Sequence, residues 1–271
     1  MNDLSSLHLE KWETLLKLLQ GNEKLGVTLS GGVDSALVCA AAVAALGVGR
    51  VKAYSIQSSM ETPQEMEDAR RITDQLGVEH YIIKFDEMEI EEIRSNPIDR
   101  CYFCKLARMK KILEHATSVG MHQLVDGSNF DDRDDYRPGL KALAELGVKS
   151  PLGDAGITKR EVRQLARWQG LFVWDKPSNP CLASRFPYGV EISHQRIQQV
   201  ACAEMALKSI GFDELRVRYH ECVARLEVPT SLFEKVLEQR TQIVEKIKAC
   251  GFLYVSLDLQ GFRSGSMNEG L

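Results

Sequence analysis

No apolar run in these 271 residues approaches the about 20 needed to cross a bilayer. The first twenty, MNDLSSLHLEKWETLLKLLQ, mix acids and bases where a secretory leader would show a basic start and an apolar core. A membrane span is therefore excluded, a leader is not expected, a cytoplasmic protein is expected, and this segment reads as an amphipathic surface helix. Basic excess is missing too: the net charge of −4 gives no global attraction to polyanions, so nucleic acid is not an expected partner. Internal repeats and low-complexity stretches are absent. Cysteines number seven, an odd count, and in a cytoplasmic chain disulfides are not expected. Cys39, Cys202, Cys222 and Cys250 sit in apolar helical or strand-like surroundings and read as small core residues. Cys101, Cys104 and Cys181 are left to explain.

What is present is alternation. KLGVTLS, RVKAYSI, EHYIIKF and HQLVDGSN are short runs rich in β-formers. Between them lie helical stretches: ALVCAAAVAAL, TPQEMEDARRITDQLG with Pro63 near its start, and CKLARMKKILEHATSVG closed by Gly120. GITKREVRQLARWQGL follows, opened by a Thr158/Glu161 capping box. Strands alternating with helices of this length imply a parallel sheet covered on both faces, with ligands at the carboxyl ends of the strands. DKPSNPCLASRFPYGVEIS, with three prolines, breaks the pattern and reads as an ordered interdomain loop. Beyond it, HQRIQQVACAEMALKSIG and SLFEKVLEQRTQIVEKIKACG read as helices, and ELRVRYHECVARLEV and FLYVSLDL as one strand each. The expected fold class is α/β, with a nucleotide-binding domain over 1–180 and a smaller C-terminal α/β domain over 181–271. Trp168 and Trp174 read as core packing.

The strongest chemical signal is SGGVDS, Ser30 to Ser35, between a strand and a helix. Gly31 and Gly32 carry no Cβ, so backbone N–H groups can close around an oxyanion, and the following helix N-terminus adds partial positive charge. Walker A spacing fails, and no lysine within the loop reaches a terminal phosphate. The pattern resembles the pyrophosphate loop of ATP pyrophosphatases, which cleave ATP between the α and β phosphates. Ser30, Gly31, Gly32, Asp34 and Ser35 are the expected nucleotide contacts, and Asp34 is also a candidate catalytic residue and magnesium ligand. A second cluster, DGSNFDDRDDYRPG from Asp126 to Gly139, packs four carboxylates into five residues after the last strand. A solvated loop would account for it. Beside a pyrophosphate, Asp126 and Gly127 become nucleotide contacts, Asp131, Asp132 and Asp135 become magnesium candidates, and Arg137 can face a phosphate.

SGGVDS, RCYFCK, DGSNFDDRDDYRPG, CLASRFPYG, ARLEV and LDLQGFRSGSMNE occur in order across nearly the whole chain, and the set resembles the ATP-dependent sacrificial sulfur transferases of the LarE family. That resemblance implies adenylylation of a carboxylate of a pyridinium dicarboxylate mononucleotide. Sulfur then replaces the activated oxygen, on the way to the nickel-pincer nucleotide cofactor. Ser184 and Arg185 resemble substrate contacts of the family, placed with Cys181 among the catalytic residues, and Arg185 could pair with a substrate carboxylate or phosphate. Arg216 and Arg218 alternate with Val217 and share one strand face, which suits either a solvated edge or the substrate phosphate. A homo-oligomer, by family resemblance up to a hexamer, is implied as well.

Family members with a lone cysteine matching Cys181 surrender its sulfur and keep dehydroalanine. Cys101 and Cys104 place this chain closer to the branch in which three thiolates hold an iron–sulfur cluster. A [4Fe–4S] cluster with three protein ligands leaves one iron open for an extra sulfide. Structural zinc would need a fourth ligand, such as His115 or His220. A thioredoxin-like pair would sit at a helix N-terminus after a strand. A sacrificial Cys181 with two bystander thiols also stays open, as do a tRNA thiolation enzyme of the same superfamily and a non-catalytic nucleotide-binding protein.

Overall fold

The computed structural model describes residues 6–133 and 138–263. Arg137 and Asp135 lie outside the described residues. The chain divides into two units, Met1–Asp86 with Asp99–Asn179 and Glu87–Ile98 with Pro180–Leu271. Residues 87–98 thus leave the range expected for the first domain and join the second unit.

The first unit begins with α1 (Ser6–Gln20), β1 (Leu25–Thr28), α2 (Val33–Leu46), β2 (Val51–Gln57), α3 (Pro63–Leu76) and β3 (Glu79–Lys84). The short helix α4 (Glu91–Arg94) belongs to the second unit. The first unit resumes with α5 (Arg100–Ser118), β4 (Leu124–Val125), α6 (Pro138–Glu145), α7 (Pro151–Asp154) and α8 (Lys159–Trp168). Its sheet is ordered β3-β2-β1-β4, and every pairing is parallel. The alternating pattern demanded this arrangement, since each strand returns through a helix.

α2 is buried nearly all round, which its alanine-rich sequence permits by letting neighbours approach closely. With α1, α3, α8 and strands β1 and β2 it forms one core; Trp12, Leu15 and Leu19 commit the amphipathic α1 to it. Tyr54, Met109, Ile112 and Leu124 build a second core beneath α5. Trp168 is more exposed than expected, at 42%, with its ring edge-on to Trp12, whereas Trp174 is partly buried against the core beneath Arg167.

The second unit continues with α9 (His194–Lys208), β5 (Arg216–His220), β6 (Val223–Glu227), α10 (Phe233–Glu238), α11 (Arg240–Ala249) and β7 (Tyr254–Leu257). The expected single strand over 214–228 is an antiparallel hairpin, with Glu221 in the left-handed region at φ 54° making the turn. The sheet is therefore three-stranded, β5-β6-β7, with β6 and β7 parallel. The expected long helix over 231–251 breaks at Gln239 into α10 and α11. Cys202 and Cys250 are joined in a disulfide between α9 and α11, which overturns the expectation of no disulfides and of two separate core thiols. Cys222 is exposed at the hairpin tip; Cys39 is buried as expected, and burial pushes its thiol up to about 12.

Candidate active site

β1 and β4 are neighbours, so the loops leaving their carboxyl ends face each other. The first is Ser30–Ser35, folded on its own hydroxyls. The Ser35 hydroxyl accepts from Ser30 N–H (3.2 Å) and donates to Gly32 O (3.1 Å), while Ser30 Oγ accepts from Gly32 N–H (3.4 Å). Gly31 takes φ +77°, and a Cβ there would stand 2.2 Å from Glu65 O of α3. Only glycine fits so close an approach. Gly127, on the facing loop, is equally constrained, because a Cβ would meet Ser35 N at 2.7 Å.

Asp34 lies in the first turn of α2, where the helix N-terminus favours negative charge. One carboxylate oxygen accepts from Asn129 Nδ2 (3.1 Å), and the other is paired with the Lys159 ammonium. Asp126 is buried and accepts from Ser150 Oγ (2.7 Å), Ser128 Oγ (2.8 Å), Ser128 N–H (3.1 Å) and Lys105 Nζ (3.1 Å). Burial pushes its carboxyl up, but Lys105 and these donors outweigh burial and hold it below its ordinary value. A cavity of about 240 Å³ opens between the loops, with Ser30, Asp34, Asp126 and Gly127 on its polar side and Ile56, Met109 and Ile112 on its apolar side. An apolar wall beside an anion-binding loop suits a nucleotide.

Of the magnesium candidates, Asp131 Oδ2 accepts from Lys159 N–H (2.9 Å) and Asp132 Oδ2 from Asn129 N–H (2.9 Å), so each carboxylate has one oxygen engaged with the backbone, and Asp132 lines the cavity. Among the described residues no group of three or more His, Cys, Asp or Glu side chains stands ready to hold a metal ion. A magnesium ion that arrives with a nucleotide draws most ligands from phosphates and water and needs only one or two carboxylates. Asp34 fits that need.

Four residues unremarked in the sequence take part. Lys159 supplies from α8 the cation missing from the loop, and Asn129 orients Asp34. Lys176 Nζ donates to Gly31 O (2.9 Å) and to Asp68 Oδ2 (2.6 Å), pinning the loop to α3. Arg108 pairs with Glu61 at 2.8 Å beside the cavity. ITKRE and WDKP carried no signal beyond helix capping and a turn, since their lysines matter only once the fold returns them to β1.

The thiols are placed differently. Cys101 and Cys104 lie three apart in the opening turns of α5, on the same side of the helix. Cys101 is exposed and Cys104 half-buried. This pair does begin a helix, though α4 and not a strand comes before it. In the second unit half-buried Cys181 precedes the turn Leu182–Arg185, its carbonyl accepting from Ser184 N–H (2.9 Å).

Arg185, expected at a substrate anion, is 2% exposed and clasped by Glu204, with Nε to Oε1 at 2.9 Å and Nη2 to Oε2 at 3.0 Å. It also donates to Pro180 O (2.6 Å) and Cys181 O (3.3 Å), which makes it a brace for the cysteine loop. Arg218 is likewise buried: it pairs with Glu227 at 2.9 Å and donates to Ser184 O (2.6 Å). Neither solvated-edge nor free phosphate-binding geometry describes it. Arg216 is 7% exposed and lies over the Phe262 ring at 4.6 Å. Burial, with Arg185 and Arg218 close by, lowers its pKa to about 10, and among the described residues it forms no ion pair.

Against known proteins, residues 13–102 match the asparagine synthase family. Pyridinium-3,5-bisthiocarboxylic acid mononucleotide synthase of Lactiplantibacillus plantarum is 37% identical over 261 residues, covering 96% of this chain and 95% of that protein. The chain belongs to this synthase family. An uncharacterised protein of Synechocystis is 38% identical over 263 residues, 96% of this chain and 98% of its own. An NH3-dependent NAD synthetase of Aeropyrum pernix is 32% identical over 188 residues, 62% of each chain. The wider likeness thus covers only part of the chain, whereas the synthase likeness also takes in Cys181 and the second unit. No helix among the described residues is long and apolar enough to cross a membrane.

Proposed function

We propose that this protein is an ATP-dependent sulfur transferase that converts a carboxylate of a pyridinium-3,5-dicarboxylate mononucleotide into a thiocarboxylate, in nickel-pincer cofactor synthesis. The observation that carries this reading is a glycine-cleared anion loop opening on a cavity with one polar and one apolar side, in a chain similar over nearly its full length to a bisthiocarboxylic acid mononucleotide synthase. A carboxylate resists nucleophiles. Its oxygen attacks the α-phosphorus of ATP, the bond to the β-phosphate oxygen breaks, and pyrophosphate leaves with the electron pair. Sulfide sulfur then adds to the acyl carbon and AMP departs. Loop N–H groups of Ser30–Ser35 hold phosphate oxygens, Asp34 holds magnesium, and the apolar wall at Met109 and Ile112 excludes water from the mixed anhydride.

Arg216 takes the substrate phosphate in this reading, being the buried guanidinium without an ion pair among the described residues. Cys101, Cys104 and Cys181 would be the residues to hold an iron–sulfur cluster, which when bound would supply a place for the sulfide. The working unit is a homo-oligomer.

Anaerobic protein incubated with ATP, magnesium, sulfide and the dicarboxylate mononucleotide should give AMP, pyrophosphate and thiocarboxylate, with Asp34→Ala inactive. Release of ADP and phosphate would overturn the reading. Iron and acid-labile sulfide in anaerobic protein would support the cluster; stoichiometric zinc, or Cys181 lighter by one hydrogen sulfide after turnover, would overturn it and leave the adenylylation untouched.

A further inference from the structure

Ser30–Ser35 contains no cation, yet a departing pyrophosphate is strongly anionic. The ammonium groups nearby are differently committed. Lys176 is held between Gly31 O and the buried Asp68, and Lys105 is bonded to the buried Asp126. Lys159 alone of the three has as its partner the carboxylate expected to serve the nucleotide, Asp34, and its side chain is one-third exposed. Its backbone is fixed: Asp131 accepts its N–H at 2.9 Å, and the Thr158/Glu161 capping box that spans it is anchored by Lys11. The root of the side chain is therefore rigid while four methylenes remain free to swing.

We propose that Lys159 is the pyrophosphate-binding lysine of this site: its ammonium moves from Asp34 to β- and γ-phosphate oxygens when a nucleoside triphosphate fills the loop. This rests on reading Ser30–Ser35 as a pyrophosphate loop. The exchange trades one anionic partner for another, so neither charge is left bare, and the Asp34 carboxylate is opened to the cation the nucleotide brings. As the bond from the α-phosphorus to the bridging oxygen breaks, the electron pair stays on pyrophosphate, and Lys159 meets that growing charge without giving up a proton. AMP has no β or γ phosphate, so the lysine discriminates between substrate and product nucleotides.

Lys159→Met and Lys159→Arg, titrated calorimetrically in magnesium buffer with ATP, inorganic pyrophosphate and AMP, test this. Lys159→Met should weaken ATP and pyrophosphate about 10- to 100-fold, the effect of one charge-assisted contact, and leave AMP within about twofold. Lys159→Arg should restore most of the affinity. Equal losses for ATP and AMP in the Met variant, or unchanged affinity for ATP and pyrophosphate, would overturn the proposal; if the Met variant fails to fold, equal losses in the Arg variant do so. Wild-type protein that forms ADP in place of AMP would refute the pyrophosphate-loop reading, whatever the lysine variants show.

Discussion

The loop site of the first unit and the arginine cluster of the second both pair cations with carboxylates, but at different depths. Asp34 and Lys159 have side chains 21% and 34% exposed, whereas Arg218 and Glu227 are at 1% and 0%. A half-exposed pair can exchange partners at small cost because water screens the intermediate arrangement. A sealed pair cannot, since separating it strands a charge in a medium that solvates it poorly. The first pair can yield to a ligand. In the second unit, Arg185 and Arg218 hold the Cys181 loop through Pro180 O, Cys181 O and Ser184 O, while Arg216 forms no ion pair among the described residues.

The largest expected effect follows from that depth. Glu227→Ala leaves Arg218 buried without its carboxylate and should cost about 3–5 kcal/mol of stability in the second unit. Asp34→Ala, breaking the open pair, should change stability by about 1 kcal/mol or less. Calorimetry of both variants decides, and equal losses would erase the distinction. Next comes the disulfide. Cys202 and Cys250 close a loop of 48 residues between α9 and α11, and α9 carries Glu204, the clasp of Arg185. Reduction should lower stability of the second unit by about 2–4 kcal/mol, seen as a lower melting temperature in dithiothreitol that Cys202→Ser reproduces. A melting temperature indifferent to reductant would show the pair contributes nothing.

Intermediate in size is the test within one strand. Arg216→Ala should weaken the substrate nucleotide by about 1.5–3 kcal/mol with little change in melting, while Arg218→Ala should chiefly destabilise. Binding lost in neither variant would remove the substrate phosphate from β5.

The parallel sheet was legible because short runs of β-formers alternate with helical stretches, and Ser30–Ser35 because a Gly-Gly turn between strand and helix has few other uses. Arg185 and Arg218 misled because a sequence displays charge without its partner: Glu204 and Glu227 are ordinary acids until the fold brings them to these guanidinium groups. The hairpin within ELRVRYHECVARLEV was hidden because its turn is Glu221-Cys222, with no glycine, asparagine or proline to mark it. Lys159 and Lys176 stayed invisible for the reason that makes them useful, being far from the loop in the chain and adjacent to it in space.

The smallest effect concerns what lies beneath the loop. Ser55 Oγ donates to Leu29 O (2.6 Å), one residue before Ser30, and so spends its only proton there. His80 Nε2, 2.7 Å from the same oxygen, therefore carries the ring proton and donates, leaving Nδ1 without a proton and 3.4 Å from Thr73 Oγ1. Burial, and then the charge of Arg70, lower the His80 pKa from 6.5 to about 4. The folded protein thus resists a proton that the unfolded chain accepts, and this contribution is fully present above about pH 6.5 and lost as pH falls toward 4. Because the ring keeps some contact with solvent, the loss is about 1–2 kcal/mol and not the full 3 or so that the shift itself would imply. Denaturant midpoints measured from pH 7 to pH 4 should fall more steeply for the wild type than for His80→Gln, which keeps a donor toward Ser55 without a titrating ring. Parallel slopes would mean that His80 is solvated in the folded state and that the support under the pyrophosphate loop is as open to exchange as the loop itself.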